Sequence, residues 1–138
     1  MYAALADMQA RFGEDELIVL TDRAQAGVID QAVLDGALAD ATATIDGYLA
    51  GRYPLPLAQV PPVLVRLCCD LTRYYLYDEQ ATDQVTKRHD AALKMLDQMA
   101  SGAISLGLDA ADAPEGSNLS EIQSAGTVWA RANSQGFL

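Results

Sequence analysis

Two adjacent cysteines, Cys68 and Cys69, are the residues of this chain best suited to covalent chemistry. In a helical reading Arg66 and Arg73 fall on the face of Cys69, and cations beside a thiol favour the nucleophilic thiolate. Two features oppose a catalytic role: Cys69 lies in mid-helix, and the chain offers a single imidazole base, His89. Neighbouring cysteines in a helix cannot close an ordinary disulfide, so buried reduced thiols are the simpler expectation. His89 has Val85, Thr86, Ala92 and Leu93 at helical spacing, none of them a metal ligand, which leaves it a polar residue at the edge of an apolar stripe. Asp40 with Asp46, or Asp22 with Asp30, would serve as paired carboxylates for acid–base work if they converged. Acids this frequent are usually solvated helix surface. The chain has no GxGxxG, P-loop or GxSxG pattern. The residues therefore point to no catalytic group, no metal and no cofactor.

The elements that would carry these residues read as mainly helical. Leu5, Met8 and Phe12 have helical spacing, and Gly13 stops that first helix. Glu14, Asp15 and Glu16 open a second, running to Leu20, where acids suit the positive end of the helix dipole. Residues 21–27 read as a connector. Asp30 is the N-cap expected for a long helix to Ala50, with Leu34, Leu38, Ala41, Ile45 and Tyr48/Leu49 along one face. Gly36 and Gly47 each cost that helix about 1 kcal/mol relative to Ala, and close packing of a neighbour would explain them. Residues 51–62, with four prolines, form an extended joint. Pro62 suits the first position of the next helix, to Tyr77, with Leu64, Leu67, Cys68, Leu71, Tyr74 and Tyr75 inward. Thr82 caps a last helix to Ala100, lined by Val85, Ala92, Leu96 and Met99. Asp83–Lys87 and Asp90–Lys94 have the spacing of ion pairs on its wet face. Ile104, Leu106 and Leu108 alternate with small residues, which predicts a short strand.

This pattern divides the chain into a helical domain, 1–108, and a loop with an extended C-terminal tail, 109–138. The fold class is mainly α: a bundle of about five helices with a short strand and that tail. Trp129, the one tryptophan, lies in a stretch where Thr127, Trp129 and Arg131 alternate with Val128 and Ala130. With the apolar ending Phe137-Leu138, this segment would either fold back onto its own bundle or dock on a partner by adding a strand to a sheet edge.

Charge narrows the function classes further. The chain of 138 residues holds 19 acids against nine bases, a net charge of −10. Residues 1–50 carry nine acids and two bases, residues 51–108 six of each, and residues 109–138 four acids and Arg131. A field of that sign repels phosphate and supplies no counterion-release gain for nucleic-acid binding. Arg52, Arg66 and Arg73 do not outweigh it. No stretch approaches the roughly 20 apolar residues of a membrane span. The opening residues, without a basic region or a long apolar run, do not read as a signal peptide.

One resemblance does reach function. The run from Ile45 through Asp46, Gly47, Tyr48 and Gly51-Arg52-Tyr53-Pro54 to Leu57, followed by Val60-Pro61-Pro62 and Leu67 to Leu76, resembles a family encoded beside the capsid genes of Mu-like prophages. The opening Met1-Tyr2-Ala3, Leu5 to Met8 and Arg11 to Leu17, the stretch Ile104 to Gly107, and Gly136-Phe137 are similar to it too. The resemblance implies a head–tail connector: a small helical subunit forming a homo-oligomeric ring, expected to be twelvefold, beneath the portal protein and above a downstream neck protein. DNA would pass through its lumen without specific binding, and the protein would reside in the virion. On that reading Thr127, Val128, Trp129, Arg131, Phe137 and Leu138 meet the portal or a neighbouring subunit. The acidic first half and residues 52–73, with Arg52, Tyr53, Arg66 and Arg73, face adjacent subunits. Two other readings stay open: a helical interaction module whose tail folds onto a target, and a small enzyme built on Cys69 or clustered carboxylates.

Overall fold

A computed structural model describes residues 1–108. The helices are α1 (Leu5–Phe12), α2 (Glu14–Thr21), α3 (Gln31–Leu49), α4 (Pro62–Tyr77) and α5 (Asp83–Ala100), with a single 3-10 turn at Asp78–Gln80 between α4 and α5. Helices α3, α4 and α5 pack against one another as a bundle, and α1 and α2 lie across it, both touching α4.

Each boundary has a local cause. The carboxylate of Asp7 accepts from the Ala4 N–H at 2.8 Å, which starts α1. Gly13, at φ +86°, ends α1 and admits α2 without a linker. Its N–H donates to the Gln9 carbonyl at 2.9 Å. The Asp30 carboxylate caps α3, accepting from Ala32 and Val33 N–H at 3.0 and 3.3 Å. Pro62 opens α4, and the Thr82 hydroxyl accepts from Val85 N–H at 3.3 Å to cap α5.

The core is the one the helical spacing predicts. Leu34, Leu38, Ile45, Leu64, Leu67, Leu71, Leu96 and Met99 are all buried. Helix α4 is central, so Cys68, Cys69 and Thr72 are buried as well as its aliphatic stripe. Met8 from α1 and Leu17 from α2 close the core, and Tyr2 and Ala3 are buried beside them. The connector after α2 is ordered by two side chains. Asp22 accepts from the N–H groups of Ala26 and Gly27 at 2.8 and 2.7 Å. The buried Thr21 hydroxyl donates to Leu17 carbonyl at 2.7 Å and accepts from Asp30 N–H at 3.0 Å, tying α2 to the start of α3.

Three expectations need correction. Residues 104–108 form no strand, because no second strand exists among the described residues to pair with them. Ile104 N–H donates back to Gln98 carbonyl at 3.1 Å, and the alternation arises because Leu106 is buried against the core. The Asp83–Lys87 and Asp90–Lys94 pairs are not closed; Asp90 meets His89 Nδ1 at 3.0 Å instead. Spacing brings exposed side chains near one another, but solvation competes well with so weak a contact. Nor does close packing explain the glycines of α3. A Cβ built on Gly36 or Gly47 would meet nothing within 4 Å.

Candidate interaction surface

Of the groups considered for chemistry, Asp40 is exposed and the others are engaged by the structure. Both cysteines are free and buried. Burial pushes the Cys69 thiol up to about 12, with Arg11 the main opposing influence. The cations named from spacing do not act on it as expected. Arg66 points its guanidinium to the Met95 sulfur at 3.6 Å, and Arg73 turns to Glu16. His89 stacks on Tyr74, ring centroids 3.8 Å apart. Asp22 and Asp30 are occupied as loop and helix caps, while Asp46 accepts the Tyr2 hydroxyl proton. No cluster of three or more metal-ligating side chains exists among the described residues. No helix there is long and apolar enough to cross a membrane.

The four residues assigned to subunit contacts divide sharply. Tyr53 is 8% exposed, and its hydroxyl oxygen accepts from Leu106 N–H at 3.4 Å, so it pins the proline-rich joint to the end of the described chain. Arg52 lays its guanidinium over Gly102 just past α5, where any Cβ would collide with it and φ is +82°. Arg73 donates to one Glu16 oxygen through Nε at 2.9 Å and Nη2 at 2.7 Å. Its guanidinium carbon lies 4.5 Å from the Phe12 ring centre, and Tyr77 donates its hydroxyl to the same Glu16 oxygen at 2.8 Å. Arg73 thereby holds α1 and α2 on α4. Only Arg66 stays exposed.

Arg66 has company that the linear sequence does not reveal. Arg11 from α1 and Arg88 from α5 join it around a cavity of about 450 Å3 that includes Asp70, Phe12 and Met95. Burial raises the Asp70 carboxyl above the ordinary value, against the lowering influence of Arg88, Arg66 and Arg11. A second hollow, about 660 Å3, opens between α3 and the end of α4, lined by Asp40, Thr44, Tyr74, Tyr75, Asp78 and Glu79. The tail residues Thr127, Val128, Trp129, Arg131, Phe137 and Leu138 lie outside the described residues.

The described residues thus form a small helical bundle that carries a hollow with three arginines and another with three acids. Comparison with known proteins identifies the family. Residues 2–124 match the family model described as Bacteriophage Mu, Gp36. The chain is 47% identical over 115 residues to the Mu-like prophage FluMu protein gp36 of Haemophilus influenzae, covering 83% of this chain and 82% of that protein. It is 40% identical over 140 residues to Gene product J of Escherichia phage Mu, covering 99% of each. The chain belongs to the phage Mu Gp36 family.

Proposed function

We propose that the protein is a structural head–tail adaptor of a Mu-like phage, acting without catalysis as a ring of subunits, twelve in number, under the portal. It joins the DNA-filled head to a downstream neck protein, lets DNA through its lumen and stays in the virion. The observation that carries this reading is the end-to-end likeness to Gene product J of phage Mu, 99% of both chains, which places the whole polypeptide in a phage family. Two physical features accord with it. The negative charge of −10 suits a channel wall that must not hold phosphate. Among the polar side chains suggested for chemistry, Asp22 and Asp30 serve as caps and His89 as a stacking partner.

Electron microscopy of necks from particles carrying the protein tests the reading. A closed ring of this chain against the portal is expected; one or two copies per particle would refute it. The tail is the proposed grip on the portal or a neighbour. Deleting 126–138 should leave helix content and melting nearly unchanged, because the core of the first 108 residues is intact, while abolishing incorporation into heads. Unfolding of the shortened chain would assign the tail to the subunit's own core, and normal incorporation would put the grip elsewhere.

A further inference from the structure

Three arginines line one hollow. Arg11, Arg66 and Arg88 reach it from three helices that are distant in sequence. Asp70, its side chain 14% exposed, stands 3.9 Å from Arg88, which is itself half exposed. One carboxylate among three guanidiniums leaves the hollow positive, on a chain whose net charge is −10. Its occupant should be anionic, and Phe12 and Met95 give it an apolar lining as well.

The other end of α4 has the opposite charge. Asp78 and Glu79 are exposed on the tight corner between α4 and α5, where Asp78 takes φ +54° and ends the helix. Asp40 adds a third acid on the adjoining hollow. From Asp70 to Asp78 the helix advances about 12 Å. The basic hollow opens among α1, α4 and α5, whereas the acidic corner adjoins the α3–α4 side.

We infer that the Arg11–Arg66–Arg88 hollow of one subunit receives the Asp78–Glu79 corner of a second copy. The exposed acids at this corner complement the charge of the basic hollow, and excluding water around the pair strengthens the attraction. Because the two patches lie on different faces, the contact is heterologous and repeats from subunit to subunit, as ring closure requires. The inference rests on the adaptor reading and names the surfaces that reading leaves open. Phosphate is the competing anion, but one small hollow on a strongly acidic chain is a poor footprint for a nucleic-acid backbone.

Charge reversal tests it in the full chain. Glu79→Arg and Arg66→Glu, both at exposed positions, should leave the melting curve of the subunit unchanged. Each alone should lower the number of copies per assembled particle by about tenfold or more, the size expected when one member of a close interfacial charge pair is reversed. Both together should restore it. Normal incorporation of the single variants, or a double variant no better than either, overturns the inference. A second measurement does not depend on the charges. With Arg66→Cys and Glu79→Cys in one chain, oxidised particles should yield a ladder of cross-linked multimers, since the native cysteines are buried. Particles that carry a ring but give no ladder also overturn it. Wild-type particles with one or two copies would be a different failure, that of the ring itself. If Arg66→Glu abolishes salt-sensitive DNA retention while assembly proceeds normally, the hollow belongs to phosphate and the inference falls.

Discussion

At Cys69 the fold decides against reactivity. The side chain is fully buried in α4, and its thiol is pushed up to about 12 by that burial, so almost no thiolate exists at neutral pH. Alkylating reagents should therefore leave both cysteines unlabelled until the chain unfolds, and labelling of folded protein at neutral pH would contradict the assignment. The same shift makes stability depend on pH. The folded thiol is raised above its ordinary value of 9.0, so its contribution is complete below about 9 and is lost as pH rises toward 12. The Tyr2 hydroxyl is raised by burial and by its hydrogen bond to Asp46, and acts in the same direction. Melting temperature should fall with increasing alkalinity, and less steeply for Cys69→Ala. A second prediction belongs to Glu16, 22% exposed beneath the 16% exposed Arg73. Glu16→Gln should cost about 1–3 kcal/mol in chemical denaturation, because it leaves Arg73 with a weaker, neutral acceptor. An unchanged midpoint would show that Arg73 is held by the Phe12 and Tyr77 rings alone. The opposite environments of Arg66 and Arg73 were hidden from the sequence. Both lie on α4 within about one turn of Cys69, three residues before it and four after, and only the approach of α1 and α2 separates a clamp from an exposed cation.

Helices were legible where a cap and an apolar stripe agree. Asp30 and Thr82 mark starts by side-chain capping hydrogen bonds and Pro62 by its fixed φ, and the residues three and four apart behind them had to face inward. Leu67 shows the weight of that stripe. It is 2% exposed in the central helix, so Leu67→Ala should cost about 2–5 kcal/mol, read from thermal or denaturant melting. The proline-rich joint and residues 104–108 were less legible, since Tyr53 and Leu106 take their places from each other across 53 positions. Local pattern shows an aromatic among prolines and an alternating run, and it does not show that one buries the other. In α3 the glycines lack the neighbour that packing would supply. Gly36→Ala and Gly47→Ala should each stabilise the isolated subunit by about 1 kcal/mol, and a loss of stability in either would mean that the helix there is not open.

The protein is an acidic chain that carries a basic hollow among its described residues, and that hollow exists only because α1, α4 and α5 meet. No reading of Arg11, Arg66 and Arg88 in order along the chain could place them together. The net charge, by contrast, needs no fold to be read, and it carries the prediction about DNA. Purified protein should not retain duplex DNA at physiological salt, and micromolar, salt-sensitive retention would count against a passive channel wall. The placement of the first residues bears on how the molecule comes into being. Tyr2 and Ala3 are buried, the Tyr2 hydroxyl is held by Asp46, and the backbone of both lies against the Cys68 thiol. A ribosome makes Tyr2 long before it makes Asp46 and Cys68. At roughly 5–20 residues per second, the opening segment waits several seconds for its partners, longer while α4 is still inside the exit tunnel. The nascent chain therefore cannot close from its front end. Tyr2 and Ala3 can be seated only after α4 has emerged.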